Sequence, residues 1–240
     1  MKTQDIEYHA GGERFVGYLA VEDGKAGLRP GVLLAPEGPG LGDLAKGFAR
    51  RLAQRGYVAF AMDYHGDGQV LSDMGEVMSR LGGFMSDPSG IRTIAAEALR
   101  VLSEQPETDK ARLAAIGYCF GGTTALELAR SGAPLKAAVG FHAGLATTKP
   151  AEKGGLKAVI LAQIGADDPV IPPEQRAAFE AEMTKAGADW RMILYGGAGH
   201  SFTNPDVGAM GRIGFAYNEA ADKRSWRAML DLFDEVFGPV

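Results

Sequence analysis

The sequence predicts one α/β domain built on a mostly parallel central sheet with helices on both faces. Three observations carry that expectation. Apolar runs without polar alternation recur along the chain, as in strands buried on both faces. Segments with apolar residues at helical spacing separate them. The two types take turns through most of the chain, which is the order of βαβ units. At 240 residues the chain is long enough to bury most of its unfolded surface around one core. Residues 1–240 are therefore read as a single domain, without internal repeats or low-complexity segments.

The elements follow in order. "RFVGYLAV" (14–21) reads as a strand after a Gly-Gly turn, and "PGVLLAPE" (30–37) as a buried strand entering a glycine-rich loop. Leu44, Phe48 and Leu52 mark one face of a helix that stops near Gly56. "YVAFAMD" (57–63) is the next strand. A helix around 91–103, a strand at 112–117, a helix at 123–130 and a strand at 136–141 continue the alternation. Then come a strand at 157–165, a helix at 174–186, a strand at 190–195, and a last helix bearing Trp226, Met229, Leu230, Phe233 and Phe237. Only 64–90 departs from short connections. There Val70, Leu71, Met74, Val77, Met78 and Leu81 fall at helical spacing. Core packing accounts for such a stripe, and so does an adaptable, methionine-bearing cap that lines an apolar site.

Composition narrows the function. The chain is 46% hydrophobic and 23% charged, an ordinary globular balance. A net charge of -5 without a basic tract argues against nucleic acid as a partner. The start "MKTQDIEYHAGGE" has no apolar signal core, and no apolar run is long enough for a membrane helix. A cytoplasmic protein that acts on a small molecule, as a monomer or small homo-oligomer, is the expectation. Four scattered histidines and one cysteine form no metal-ligand spacing, so neither a metal nor a cofactor is expected.

The lone cysteine carries the functional argument. A buried free cysteine is usually inert, but Gly117-x-Cys119-x-Gly121 lies between a predicted strand and a predicted helix. That is the nucleophile-elbow pattern with cysteine in place of serine. The turn crowds the adjacent backbone, so its flanking positions must be small. The following helix aims its positive end and free N–H groups at the sulfur, favouring thiolate and offering Phe120 N–H to an oxyanion. Further on, Asp167 and Asp168 follow one predicted strand and His200 the next. Carboxyl ends of strands are where open α/β sheets bind ligands. Nucleophile, acid, histidine is the chain order of α/β-hydrolases.

"GYCFGG", "GADDPVIP", "AGHSF" and "LLAPEGPGL" together resemble the dienelactone hydrolase family of α/β-hydrolases over nearly the whole chain. The resemblance implies an α/β-hydrolase fold and a hydrolase of small esters or lactones with a cysteine nucleophile. It selects Asp168 over Asp167 as the acid beside His200. It implies that Glu37 contacts the resting thiol and disfavours thiolate, and that Gly38 N–H completes the oxyanion hole with Phe120. The chain departs from the family at Asn204, where members that process dienelactone carry an arginine, so an anionic substrate does not follow. Arg80 and Arg212 are alternative cations. Tyr64, His65, Arg80, His142 and Phe202 are candidates for lining the substrate. Two other classes use a cysteine on such an elbow: glutaminase-like amidohydrolases, whose acid usually comes as His-x-Glu, and redox-responsive or non-catalytic thiol proteins.

Overall fold

The structure, a computed structural model, describes residues 1–238. Eight strands form one sheet: β1 Lys2–Ala10, β2 Glu13–Val21, β3 Arg29–Ala35, β4 Val58–Ala61, β5 Thr108–Tyr118, β6 Ala137–Phe141, β7 Val159–Gly165 and β8 Trp190–Tyr195. Their spatial order is β1-β2-β4-β3-β5-β6-β7-β8. The first two strands run antiparallel to each other and β2 runs antiparallel to β4, whereas β3 to β8 are mutually parallel. Six helices connect them: α1 Asp43–Gln54, α2 Met74–Ser86, α3 Ser89–Ser103, α4 Phe120–Arg130, α5 Pro173–Ala186 and α6 Glu219–Phe237.

Strand alternation divides the core. On β3, Val32 and Leu34 face α1 and α6, where they join Phe48, Leu52, Met229 and Phe233. Leu33 and Ala35 face the other way, toward Ile91 and Ala98 of α3, Leu126 of α4 and Phe179 of α5. Both faces of the strand are therefore buried, which is why its sequence is apolar throughout. Under the end of β5, Tyr118 stacks between Phe48 at 4.1 Å and Phe141 at 4.6 Å. Each such pair contributes about 0.5–1.5 kcal/mol beyond area burial, and the stack anchors the residue before Cys119.

Besides β5, which starts at Thr108 rather than near 112, two elements differ from the sequence expectation. Strand β1 was not anticipated, because only Tyr8 and Ala10 of its nine residues are buried. Its pairing with β2 specifies it instead, through a turn whose Gly11 and Gly12 have φ of 59° and 88°. Helix α4 begins at Phe120 rather than near Thr123. Gly121 and Gly122 are poor helix formers, but close backbone approaches in the elbow need them there. Among the described residues no helix is long and apolar enough to cross a membrane.

Candidate active site

The elbow is built from strain and close approach. Cys119 sits between β5 and α4 with φ 53° and ψ -119°, a conformation that costs a non-glycine residue roughly 1–3 kcal/mol. Its neighbours must be glycine. A Cβ on Gly117 would lie 2.0 Å from the Gly121 carbonyl oxygen, and one on Gly121 would lie 2.1 Å from that of Ala35. The second contact presses the first turn of α4 against the loop after β3. Phe120 is the first residue of α4, so its N–H has no acceptor within the helix.

Two other loops reach the same place. His200 Nε2 lies 3.2 Å from Cys119 Sγ, and its Nδ1 lies 2.8 Å from Asp168 Oδ2. Asp168 follows β7 and His200 follows β8, both at carboxyl ends of the parallel strands. Val170 N–H donates to Asp168 Oδ1 at 2.8 Å, so both carboxylate oxygens are engaged. Arg176 of α5 holds that loop by donating to the carbonyls of Gly165, Ala166 and Ile171. The histidine loop is held at close range as well: His200 N–H donates to Gly214 O at 2.7 Å, and Ser201 has φ 54°. Asp167 is exposed and makes no contact with the imidazole, so the acid beside His200 is Asp168. Burial works against the His200 imidazolium, but the bonds to Asp168 and Cys119 outweigh it and push the pKa up to about 10.

A cavity of about 160 Å³ opens over the sulfur. Glu37, Gly38, Cys119, Phe120 and His200 face it, and Met74, Val77, Met78, Leu81 and Met85 of α2 supply an apolar wall. The stripe at 70–81 is split by the fold. Leu71, Val77 and Leu81 are buried, whereas Val70, Met74 and Met78 are exposed. Phe215 and Arg212 line the opposite side, the guanidinium lying 4.1 Å from the centre of the Phe215 ring. Arg212, one of the two cations the sequence offered, therefore lines the cavity, whereas Phe215, Thr123, Gly144 and Val170 were missed by sequence reasoning, because nothing in their local pattern brings them to the cysteine. Among the described residues no group of three or more His, Cys, Asp or Glu could hold a metal ion.

The glutamate departs from the arrangement the resemblance implies. Glu37 Oε2 accepts a hydrogen bond from Asn204 Nδ2 at 2.8 Å, while the thiol is bonded to His200. Asn204 thus occupies the arginine position as a donor to Glu37 rather than as a free cation. Glu37 Oε1 is buried with no hydrogen-bond partner among the described residues. Burial pushes the carboxyl pKa up, with the Asn204 bond and the His200 charge acting in the other direction.

Five expected lining residues lie elsewhere. Arg80 donates to the His65 carbonyl at 2.7 Å and pairs with Glu76, so its charge is spent outside the cavity. Tyr64 and His65 are buried behind the loop after β3. Phe202 is fully buried against Tyr195 and His142. His142, φ 41°, lies beneath the elbow. Its Nδ1 accepts from Cys119 N–H at 3.1 Å and its Nε2 meets Thr203 Oγ1 at 2.8 Å. An accepting Nδ1 places the proton on Nε2. Burial, with the nearby His200 charge, holds its pKa well below 6.5. His142 is therefore structural support, tying the nucleophile's backbone to the histidine loop.

A parallel sheet with an elbow residue after β5, an acid after β7 and a histidine after β8 defines an α/β-hydrolase. The chain belongs to the dienelactone hydrolase family, whose pattern it matches over residues 15–237. Among solved structures it is similar to a dienelactone hydrolase-like promiscuous phosphotriesterase, P91, from metagenomic libraries: 44% identity, TM-score 0.93, and 99% of each chain covered. A Yersinia pestis protein provisionally named carboxymethylenebutenolidase is 28% identical over 235 residues, 93% of this chain and 85% of that one. A Bradyrhizobium sp protein described as a probable 2-oxo-3-(5-oxofuran-2-ylidene)propanoate lactonase is 29% identical over 208 residues, 82% of each.

Proposed function

We propose that this hydrolase cleaves small, neutral, apolar esters or lactones with Cys119 as nucleophile, His200 as general base and acid, and Asp168 as the group that orients His200. The observation that carries the reading is the unbroken line from Sγ through the imidazole to a buried carboxylate, 3.2 Å and then 2.8 Å, at the floor of one cavity. The thiolate sulfur bonds to the carbonyl carbon, and the carbonyl π pair moves onto oxygen, where the N–H groups of Phe120 and Gly38 receive it. Collapse breaks the C–O bond of the ester, and the departing alkoxide takes the proton of the His200 imidazolium. A water then gives a proton to His200 and its hydroxyl to the thioester, releasing the acid and restoring the thiolate. Asp168 keeps the imidazole in the tautomer that this exchange needs.

The substrate class follows from the walls. Methionine, valine and leucine of α2 face the sulfur, Glu37 is negative when ionised, and Arg212, the one arginine or lysine among the described residues lining the cavity, is exposed and stacked on Phe215. A carboxylate on the substrate would meet no buried arginine or lysine there. The test is turnover of short-chain p-nitrophenyl esters by wild type, Cys119→Ala and His200→Ala under reducing conditions, with folding checked by circular dichroism. A neutral aryl phosphotriester joins the panel because of the P91 relative. Loss of turnover in both variants supports the reading, and substantial activity in Cys119→Ala overturns it.

A further inference from the structure

Gly38 is clamped on both sides by two side chains that do not line the cavity over the sulfur. The Tyr64 hydroxyl donates to the Glu37 carbonyl, with the Pro36 carbonyl next nearest at 3.3 Å. His65 Nε2 lies 2.8 Å from the Gly38 carbonyl. A carbonyl only accepts, so Nε2 carries the proton. Both groups stay in the donating form. Burial, with the charges of Cys119, Glu37 and Asp63, holds the Tyr64 phenol well above its usual pKa. Burial keeps the His65 pKa low against the pull of the Gly38 carbonyl.

The loop that carries this pair is itself rigid. The Asp63 carboxylate, fully buried, accepts from the backbone N–H groups of Val16, His65, Gly66 and Gly68 at 2.8–3.2 Å. Arg80 secures the His65 carbonyl. Further along, Leu71 N–H donates to Pro39 O at 2.9 Å. The loop after β4 therefore fixes the loop after β3 over residues 36–39.

Peptide geometry gives this clamp a chemical consequence. No peptide bond among the described residues is cis, and across a trans peptide the C=O and N–H point in opposite directions. Tyr64 draws the Glu37 carbonyl to the side away from the cavity, which neither Tyr64 nor His65 lines. The Gly38 N–H, on the same peptide unit, is turned toward the cavity. It donates to no acceptor among the described residues. Rotation of this peptide would break the Tyr64 bond, together with the 2.9 Å bond that Gly40 N–H donates to the same carbonyl, and bring a carbonyl oxygen to the cavity, where it would repel an oxyanion.

We propose that Tyr64 and His65 are positioning residues that hold the Gly38 N–H in place as an oxyanion donor, Tyr64 by fixing the peptide before it and His65 the peptide after it. The inference rests on the hydrolase reading above. It separates two properties of Cys119 that a general structural role would move together. Alkylation by iodoacetamide is a displacement at saturated carbon: sulfur bonds to the methylene, iodide leaves, and no oxyanion forms. Addition to a trifluoromethyl ketone forms the S–C bond and leaves the carbonyl electron pair on oxygen, so it requires the oxyanion donors.

The experiment measures the iodoacetamide rate at Cys119 in the full chain, the protection against it by phenyl trifluoromethyl ketone, and p-nitrophenyl acetate turnover. Tyr64→Phe removes the hydroxyl and keeps the ring. It is expected to leave alkylation within about twofold, to weaken ketone binding about 10- to 100-fold, and to lower kcat by a similar factor with KM little changed, since removal of a whole donor costs about 10²–10³. His65→Gln, which retains an N–H donor, should stay near wild type, and His65→Leu should follow Tyr64→Phe. Ketone protection in Tyr64→Phe equal to wild type overturns the proposal, as does a parallel fall in alkylation and ketone binding. Ester turnover that survives Cys119→Ala would instead overturn the hydrolase reading, because that readout does not depend on the clamp.

Discussion

Replacing Gly121 with alanine tests whether the elbow and the loop after β3 form one rigid unit. The added Cβ would lie 2.1 Å from Ala35 O and 2.3 Å from Pro36 O, both backbone atoms. Ordinary contact begins at 3.4 Å, so one backbone must retreat by about 1.3 Å. Neither has a side chain that can rotate away. The cost is placed at about 3 kcal/mol, the upper end of overpacking penalties, which lowers Tm by about 6–12 °C in a chain of this size. The retreat moves Glu37 and Gly38 relative to Cys119, and a misplacement of about 1 Å costs about 10²-fold in rate. Gly82→Ala is the matched control. It lies inside α2 with nothing within 4 Å of the added carbon, so it should stabilise by about 0.5–1 kcal/mol. Thermal unfolding and p-nitrophenyl acetate turnover read both effects. A Gly121→Ala protein with wild-type Tm and turnover would refute the reasoning, because the close approach would then be one that the backbone absorbs freely.

Two further outcomes follow from buried titratable groups. Burial raises the Glu37 pKa above the 4.5 of an ordinary glutamate, so ionisation in the folded state is opposed and stability falls as pH rises from about 4.5 toward the folded value. Glu37→Gln removes that loss while keeping an acceptor for Asn204. Its Tm should match wild type near pH 4 and exceed it increasingly above that, and a difference independent of pH would count against a strained carboxylate. For His142, nitrogen NMR should find the neutral Nε2–H tautomer, unchanged between about pH 5.5 and 8. A resonance that titrates in that range would mean that its Nδ1 does not hold the Cys119 N–H.

Much of this molecule was legible along the chain, for reasons of period and local sterics. The buried parallel strands announce themselves because both faces must be apolar, and β3 and β6 are read to within two residues at either end. The elbow is legible because its glycines are required by contacts only a few residues long, Gly117 against Gly121. Chain order then places an acid and a histidine after later strands, which points to His200 and to Asp167 or Asp168, and the family resemblance selects Asp168. Strand β1 was hidden because its partner, rather than its own hydrophobicity, specifies it.

What tertiary structure alone decided is where side chains from distant loops end up pointing. Tyr64, His65 and His142 look like site residues, since each follows a strand, yet all three support backbone from behind rather than facing the cavity. Glu37 is turned to Asn204, 167 residues away, instead of to the thiol. The cavity wall comes from one side of α2, and a helical stripe does not by itself tell a core-facing Leu71 from an exposed, cavity-lining Met78. Local sequence sets which conformations a segment can adopt; the direction in which a hydroxyl or carboxylate finds its partner depends on the packing of segments that the sequence keeps far apart.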